Sequence, residues 1–150
     1  IGKIKPEAYY DGLKRKLQIP WTYEQFVRSW NDILTEDPDV AWIVQRLRAR
    51  HQLMALTNTN ALHIGYMKRT IPSLSLFHDV VASCDVGLRK PDAQIYRLVL
   101  ERSGVRANRV VYIDDRLEMV EGGRSLGLTG IQFQSSRQLE QDLRQLGFNI

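Results

Sequence analysis

Val110-Val111-Tyr112-Ile113-Asp114-Asp115 constrains the fold of this chain more than any other segment. Four strand-forming residues in an unbroken run mark a strand buried on both faces, as in a parallel sheet held between helices. The run ends on two adjacent carboxylates. In open α/β sheets the ligand site lies just past the carboxyl ends of the strands. Two acids placed there are costly unless a cation or basic groups compensate them. Oxygen donors of this kind suit hard divalent ions, Mg2+ especially.

From residue 52 onward the sequence alternates between strand and helix patterns. Leu53–Thr57 reads as a short buried strand, followed by a helix from Asn60 to about Arg69. Val80–Ser83 is a second strand. Pro91 opens a helix with Ile95, Leu98 and Val99 on one face, and Gly104 stops it. The Val110–Ile113 strand leads into a helix over Leu117–Leu126 that ends at Gly127. Thr129–Phe133 is a further strand, and Leu139, Leu143 and Leu146 mark a last helix. Repeated βα units of this length imply a mostly parallel, doubly wound sheet.

The first fifty residues are helical instead. Tyr9, Leu13 and Leu17 form one apolar stripe. Thr22 with Gln25 has the form of a capping box, and Phe26, Trp30, Ile33 and Leu34 form the next stripe. Asp37-Pro38 starts a third helix, continued by Ile43, Val44 and Leu47. The composition shift near residues 48–52 divides a helical lobe, 1–50, from an α/β core, 51–150. Trp21, Trp30 and Trp42 are expected in the core of the lobe.

Bulk properties exclude several classes. The 150 residues suffice for one domain with a real core. The apolar stretches are too short for a membrane span. The single cysteine, Cys84, allows no internal disulfide and fits a reducing, cytoplasmic setting. The net charge of +4 is scattered. Its densest spot, Arg46-Leu47-Arg48-Ala49-Arg50, reads as the polar end of a helix, so no nucleic-acid partner is expected, whereas a phosphorylated substrate suits the basic excess.

Three segments stand at strand ends: Thr57-Asn58-Thr59-Asn60, Gly87-Leu88-Arg89-Lys90-Pro91-Asp92, and Asp114-Asp115-Arg116. Together they supply hydroxyl and amide donors, a cation and two carboxylates, a set suited to phosphoryl transfer. In order and spacing these segments, with Val120-Glu121-Gly122, resemble the motifs of the haloacid dehalogenase (HAD) superfamily of hydrolases, in its sugar-phosphatase-like branch with a helical cap. The resemblance implies a HAD-like Rossmannoid core under an N-terminal cap and a Mg2+-dependent phosphatase of small phosphorylated metabolites. It further implies that Thr57 bonds the phosphoryl group with the Asn58 amide nearby. Lys90 would steady the phosphate and the nucleophile's charge, Asp114 would hold Mg2+, and Asp115 would assist it.

Two departures from the family pattern stand out. Glu118 and Met119 occupy a region where the family often carries Asn or Asp, so Glu118 is a candidate substitute. The family's first motif, an Asp-x-Asp segment ending a central strand, has no counterpart before residue 50. Asp11 and Asp37 sit in helical or capping contexts. That strand and its nucleophile are expected upstream of Ile1. The competing readings are a non-catalytic relative that binds a phosphate compound or a protein partner, a fragment inactive alone, and a haloacid dehalogenase. The last needs no metal and is disfavoured by the Asp114-Asp115 pair. Asn60 and His63 read as capping and packing residues, Arg116 as a surface or ion-pair residue, and Gly122-Gly123 as a place where a helix comes close to the sheet.

Overall fold

The computed structural model describes residues 2–150. Helices α1 (Pro6–Leu17), α2 (Tyr23–Asn31) and α3 (Pro38–Arg48) come first. Strand β1 (Met54–Thr57) leads to α4 (Ala61–Thr70), and β2 (Asp79–Ala82) runs directly into the one-turn α5 (Ser83–Val86). Then follow α6 (Ala93–Ser103), β3 (Val111–Asp114), α7 (Leu117–Arg124), β4 (Thr129–Gln132) and α8 (Ser136–Gln145). No helix among the described residues is long and apolar enough to cross a membrane.

The strands pair in parallel as two separate half-sheets, β1 with β2 and β3 with β4. Side chains alternate across each strand, and the two faces are packed by different helices. On one face Ile43 and Leu47 of α3 join Leu139 and Leu143 of α8 against Ile131, with Leu53, Val111 and Ile113 beside them. On the other, Ile95 and Tyr96 of α6 pack with Val81, Met54, Leu56 and Tyr112. Helix α7 shares this second face. A Cβ on Gly123 would come within 2.8 Å of the Tyr112 ring, and one on Gly122 within 2.8 Å of the Tyr96 hydroxyl. This is the close approach expected of the glycine pair. The result is an α/β/α layering, the HAD-like class read from the sequence.

β1 and β3 are not hydrogen-bonded to each other, so each has one free edge. A cleft of about 1230 Å³ runs between them, walled by Leu53–Leu56 on one side and Val110–Asp115 on the other.

Helices α1 and α2 form a hairpin. The expected capping box is present: the Gln25 N–H donates to Thr22 Oγ1 (3.3 Å) and the Thr22 N–H to Gln25 Oε1 (2.8 Å). The stripe on α1 differs from expectation. Tyr10 is its buried residue, whereas Leu17 is 60% exposed. The Tyr10 hydroxyl donates to the Trp21 carbonyl (2.6 Å), and its ring meets Tyr23 and Phe26. Among the described residues α1 packs on α2, and Tyr10 faces that contact. Trp21 and Trp42 are likewise more exposed than expected. Trp42 lies on α3 under the Arg46 guanidinium, 4.9 Å away. Helix α3 itself packs with α8 and the sheet. It therefore lies with the α/β layers, although the composition shift near residues 48–52 groups it with the helical lobe.

Candidate active site

β1, β3 and the 87–92 loop meet at the carboxyl end of the cleft. Lys90 joins them. Its Nζ donates to the Leu56 carbonyl on β1 (2.9 Å) and to Asp114 Oδ2 at the end of β3 (2.6 Å). Both side chains of this ion pair are about nine-tenths buried. A buried lysine is stable only with such compensation. Thr57, the last residue of β1, follows the carbonyl that Lys90 grips.

Asn58 fixes the loop that carries the lysine. Its side-chain amide donates to the Lys90 carbonyl (2.9 Å), and its Oδ1 accepts the Lys90 N–H (2.8 Å). The reciprocal pairing spends the Asn58 side chain on positioning. Only its backbone amide is left for the phosphate role that the family resemblance implies. Ser83, just past β2, does the same for the next residue: its hydroxyl accepts the Thr59 N–H (2.9 Å) and donates to the Thr59 carbonyl (3.0 Å). Asn60 caps α4 by accepting the N–H groups of Leu62 and His63, the capping role expected of it.

Asp114 is held from three directions. Oδ2 accepts Lys90 Nζ and the Tyr112 hydroxyl (2.7 Å), and Oδ1 accepts the Arg116 N–H at the start of α7 (3.1 Å). Burial alone would raise its pKa. The hydrogen bonds from Lys90, Tyr112 and the Arg116 N–H outweigh burial and hold the carboxyl below the usual carboxylate range. Burial, together with the hydrogen bond to Asp114, pushes the Tyr112 phenol far up, so Tyr112 stays a neutral donor.

Asp115 is exposed, and its backbone carbonyl accepts Gln132 Nε2 (3.1 Å). Glu118 pairs at the surface with Arg116 (3.0 Å), as expected of that arginine. Among the described residues no three of the His, Cys, Asp and Glu side chains gather into a metal cluster. Two carboxylates at one strand end still fit Mg2+, which is commonly bound by one or two carboxylates with water and phosphate oxygens completing its shell.

The structure thus brings Lys90, Asp114, Asn58 and the end of β1 together, and leaves Asp115 at the rim. Two residues were missed. Tyr112 lies two positions before Asp114, and strand alternation alone puts both on one face. Ser83 carried no signal beyond that of an ordinary strand end.

A family model described as haloacid dehalogenase-like hydrolase matches residues 2–127. Among curated relatives, a sesquiterpene phosphatase of Aspergillus oryzae is 26% identical over 147 residues, covering 97% of this chain and 75% of that protein. A phosphorylated carbohydrates phosphatase of Thermotoga maritima is 29% identical over 110 residues, covering 73% of this chain and 51% of that one. Of solved structures, a HAD family enzyme of Bacteroides thetaiotaomicron in complex with magnesium and inorganic phosphate superimposes with a TM-score of 0.82. It is 22% identical, and the match covers 89% of this chain and 71% of that one. A predicted HAD-like family hydrolase of Porphyromonas gingivalis gives 0.81 at 23% identity, covering 99% and 76%.

Proposed function

The chain belongs to the haloacid dehalogenase-like hydrolases, and on that premise we propose that it forms the cap and most of the core of a Mg2+-dependent phosphatase for a small phosphorylated metabolite, with a sugar phosphate as the leading candidate. The observation that carries this reading is Lys90, buried and held between the Leu56 carbonyl and Asp114, two residues that line the cleft between β1 and β3. A fixed cation at that point suits the charge of a transferring phosphoryl group. The phosphatase relatives support the reaction class.

In this reading a strand ahead of residue 1 lies in the cleft and ends on the nucleophilic aspartate. Its carboxylate oxygen bonds to phosphorus as the bond to the leaving oxygen breaks, and the leaving oxygen takes a proton from solvent water. Water then splits the aspartyl-phosphate, releasing inorganic phosphate and restoring the carboxylate. Thr57 and the Asn58 amide hold phosphoryl oxygens, and Lys90 offsets their charge. Asp114, assisted by Asp115, would hold Mg2+, which supplies charge stabilisation when bound.

The test is turnover of a generic phosphate ester by the full-length protein. Asp114→Asn and Lys90→Ala should each lower kcat by several powers of ten. Wild-type rates in both would overturn the assignment. Binding of a phosphosugar without turnover would favour the binding-module reading, and metal-free chloride release from a haloacid would favour dehalogenation.

A further inference from the structure

The buried polar side chains among the described residues include Asn31, Ser83 and Lys90. The last two shape the site described above. Asn31 is 3% exposed and ends α2, in the cap hairpin. Its Nδ2 donates to the Val27 carbonyl (2.9 Å), which leaves Oδ1 to face His63 Nδ1 at 3.0 Å. With an acceptor opposite, His63 Nδ1 carries the proton.

His63 lies in the first turn of α4, whose N-cap, Asn60, ends the Thr57–Asn60 loop. The His63 N–H donates to Asn60 Oδ1 (3.1 Å). Its ring stacks on Trp30 of α2, with centroids 5.9 Å apart and planes 8° from parallel. Trp30 in turn stacks on Phe26 (5.2 Å) and meets the edge of Tyr9 on α1 (5.6 Å). One imidazole thus touches both cap helices through a ring ladder and touches the phosphate loop through its own backbone. A second tie lies beyond it, where Glu36 Oε1 accepts the Ser73 N–H (2.8 Å). Between the two ties runs the short 32–35 connection, where Ile33 is 77% exposed.

We propose that His63 is a positioning residue that clasps the cap hairpin to the phosphate-binding loop, so that the Asn31–His63–Trp30 contact sets where the cap meets the non-phosphate part of the substrate. This rests on the phosphatase reading. Asn31 and Trp30 of the cap hairpin bond and stack with His63 in the first turn of α4, whereas Lys90 and Asp114 bond to Leu56, Asn58, Tyr112 and Arg116, so loss of the clasp changes substrate capture and spares phosphate binding.

Steady-state kinetics of His63→Ala, His63→Asn and Asn31→Ala in the full-length protein separate the alternatives. Losing one buried hydrogen bond should raise KM for a phosphate ester about tenfold, leave kcat within about twofold, and leave the inhibition constant of inorganic phosphate unchanged. His63→Asn should restore most of the affinity, because its Nδ2 occupies the place of Nδ1. The Asn31→Ala and His63→Ala effects should fail to add. Equal losses in phosphate inhibition and KM, or additive effects, would overturn the clasp. A readout free of turnover is amide exchange. His63→Ala should speed exchange in α1 and α2 and leave β3 and β4 unchanged, and uniform acceleration or none defeats the proposal. If the wild type turns over no ester while this exchange pattern holds, the phosphatase reading fails and the clasp survives.

Discussion

The two half-sheets are built alike and end differently. Each is a parallel pair with four matched residues per strand, and each turns one free edge to the same cleft. The β1–β2 half ends on neutral groups, Thr57, Asn58 and the Ser83 hydroxyl. The β3–β4 half ends on the carboxylates of Asp114 and Asp115. Neither half holds a complete set. The lysine comes from the loop between α5 and α6, part of the first half, and reaches across to the acid of the second. Charge is therefore divided between two half-sheets that share both packed faces, and one buried side chain brings it together.

The sharpest way to break this comparison is Lys90→Met. It leaves Asp114 buried without its cation and should cost about 3–5 kcal/mol in urea unfolding. A cost below about 1 kcal/mol, the range of an exposed pair, would mean that the ion pair adds little to the packing that joins the halves on both faces. Next come the paired truncations Leu143→Ala and Ile95→Ala, which empty one face each. Each should cost about 2–5 kcal/mol. Similar values mean that both faces support both half-sheets, whereas two separate unfolding transitions would mean that they unfold as independent units.

Gly123→Ala drives a methyl into the Tyr112 ring and should cost about 1–3 kcal/mol. Gly65→Ala on α4, where the nearest atom is Arg69 Nη1 at 3.7 Å, should be neutral or stabilising by up to about 1 kcal/mol. Equal effects at the two glycines would deny the tight seat of α7. The smallest expected effect is on pH. The folded Asp114 carboxyl lies below its unfolded value, so its contribution is complete above about pH 4 and is lost as pH falls through the folded value. Urea midpoints between neutral and acidic pH should therefore fall more steeply for the wild type than for Asp114→Asn. Parallel slopes would remove Asp114 from the acid response.

Much of this layout was legible in the chain. Caps at Thr22 and Asp37 follow from local hydrogen bonding by short polar side chains, which needs no tertiary partner. The strands of the α/β core appear where apolar runs predicted them, because a strand covered on both faces has nowhere to place polar residues. The order of the three strand-end segments pointed to the family, and Lys90 and Asp114 do meet. Less legible was anything set by which neighbour an apolar stripe finds. The α3 stripe was right, yet the sequence does not say that it packs on the sheet. Leu17 and Trp21 are apolar and exposed, because the contact between α1 and α2 runs through Tyr10, Tyr23 and Phe26 instead. The sequence pattern predicts that Pro91 opens the helix after Lys90. Instead Asp92 caps it and Ala93 begins it, since a carboxylate accepting the Gln94 N–H sets the boundary.

The alternation in β3 carries one further consequence. Val111 and Ile113 are committed to α3 and α8, and Tyr112 with Asp114 to the opposite side. Inserting or deleting a single residue in this strand would turn Asp114 toward the aliphatic cluster of Ile131 and Leu143 while pointing Val111 and Ile113 at Lys90. Such a protein would fail to fold before it could fail to react. The greasy residues of β3 thus act as a proofreader for the placement of its charge, and errors of spacing here would be removed as insoluble protein rather than survive as a weakened enzyme.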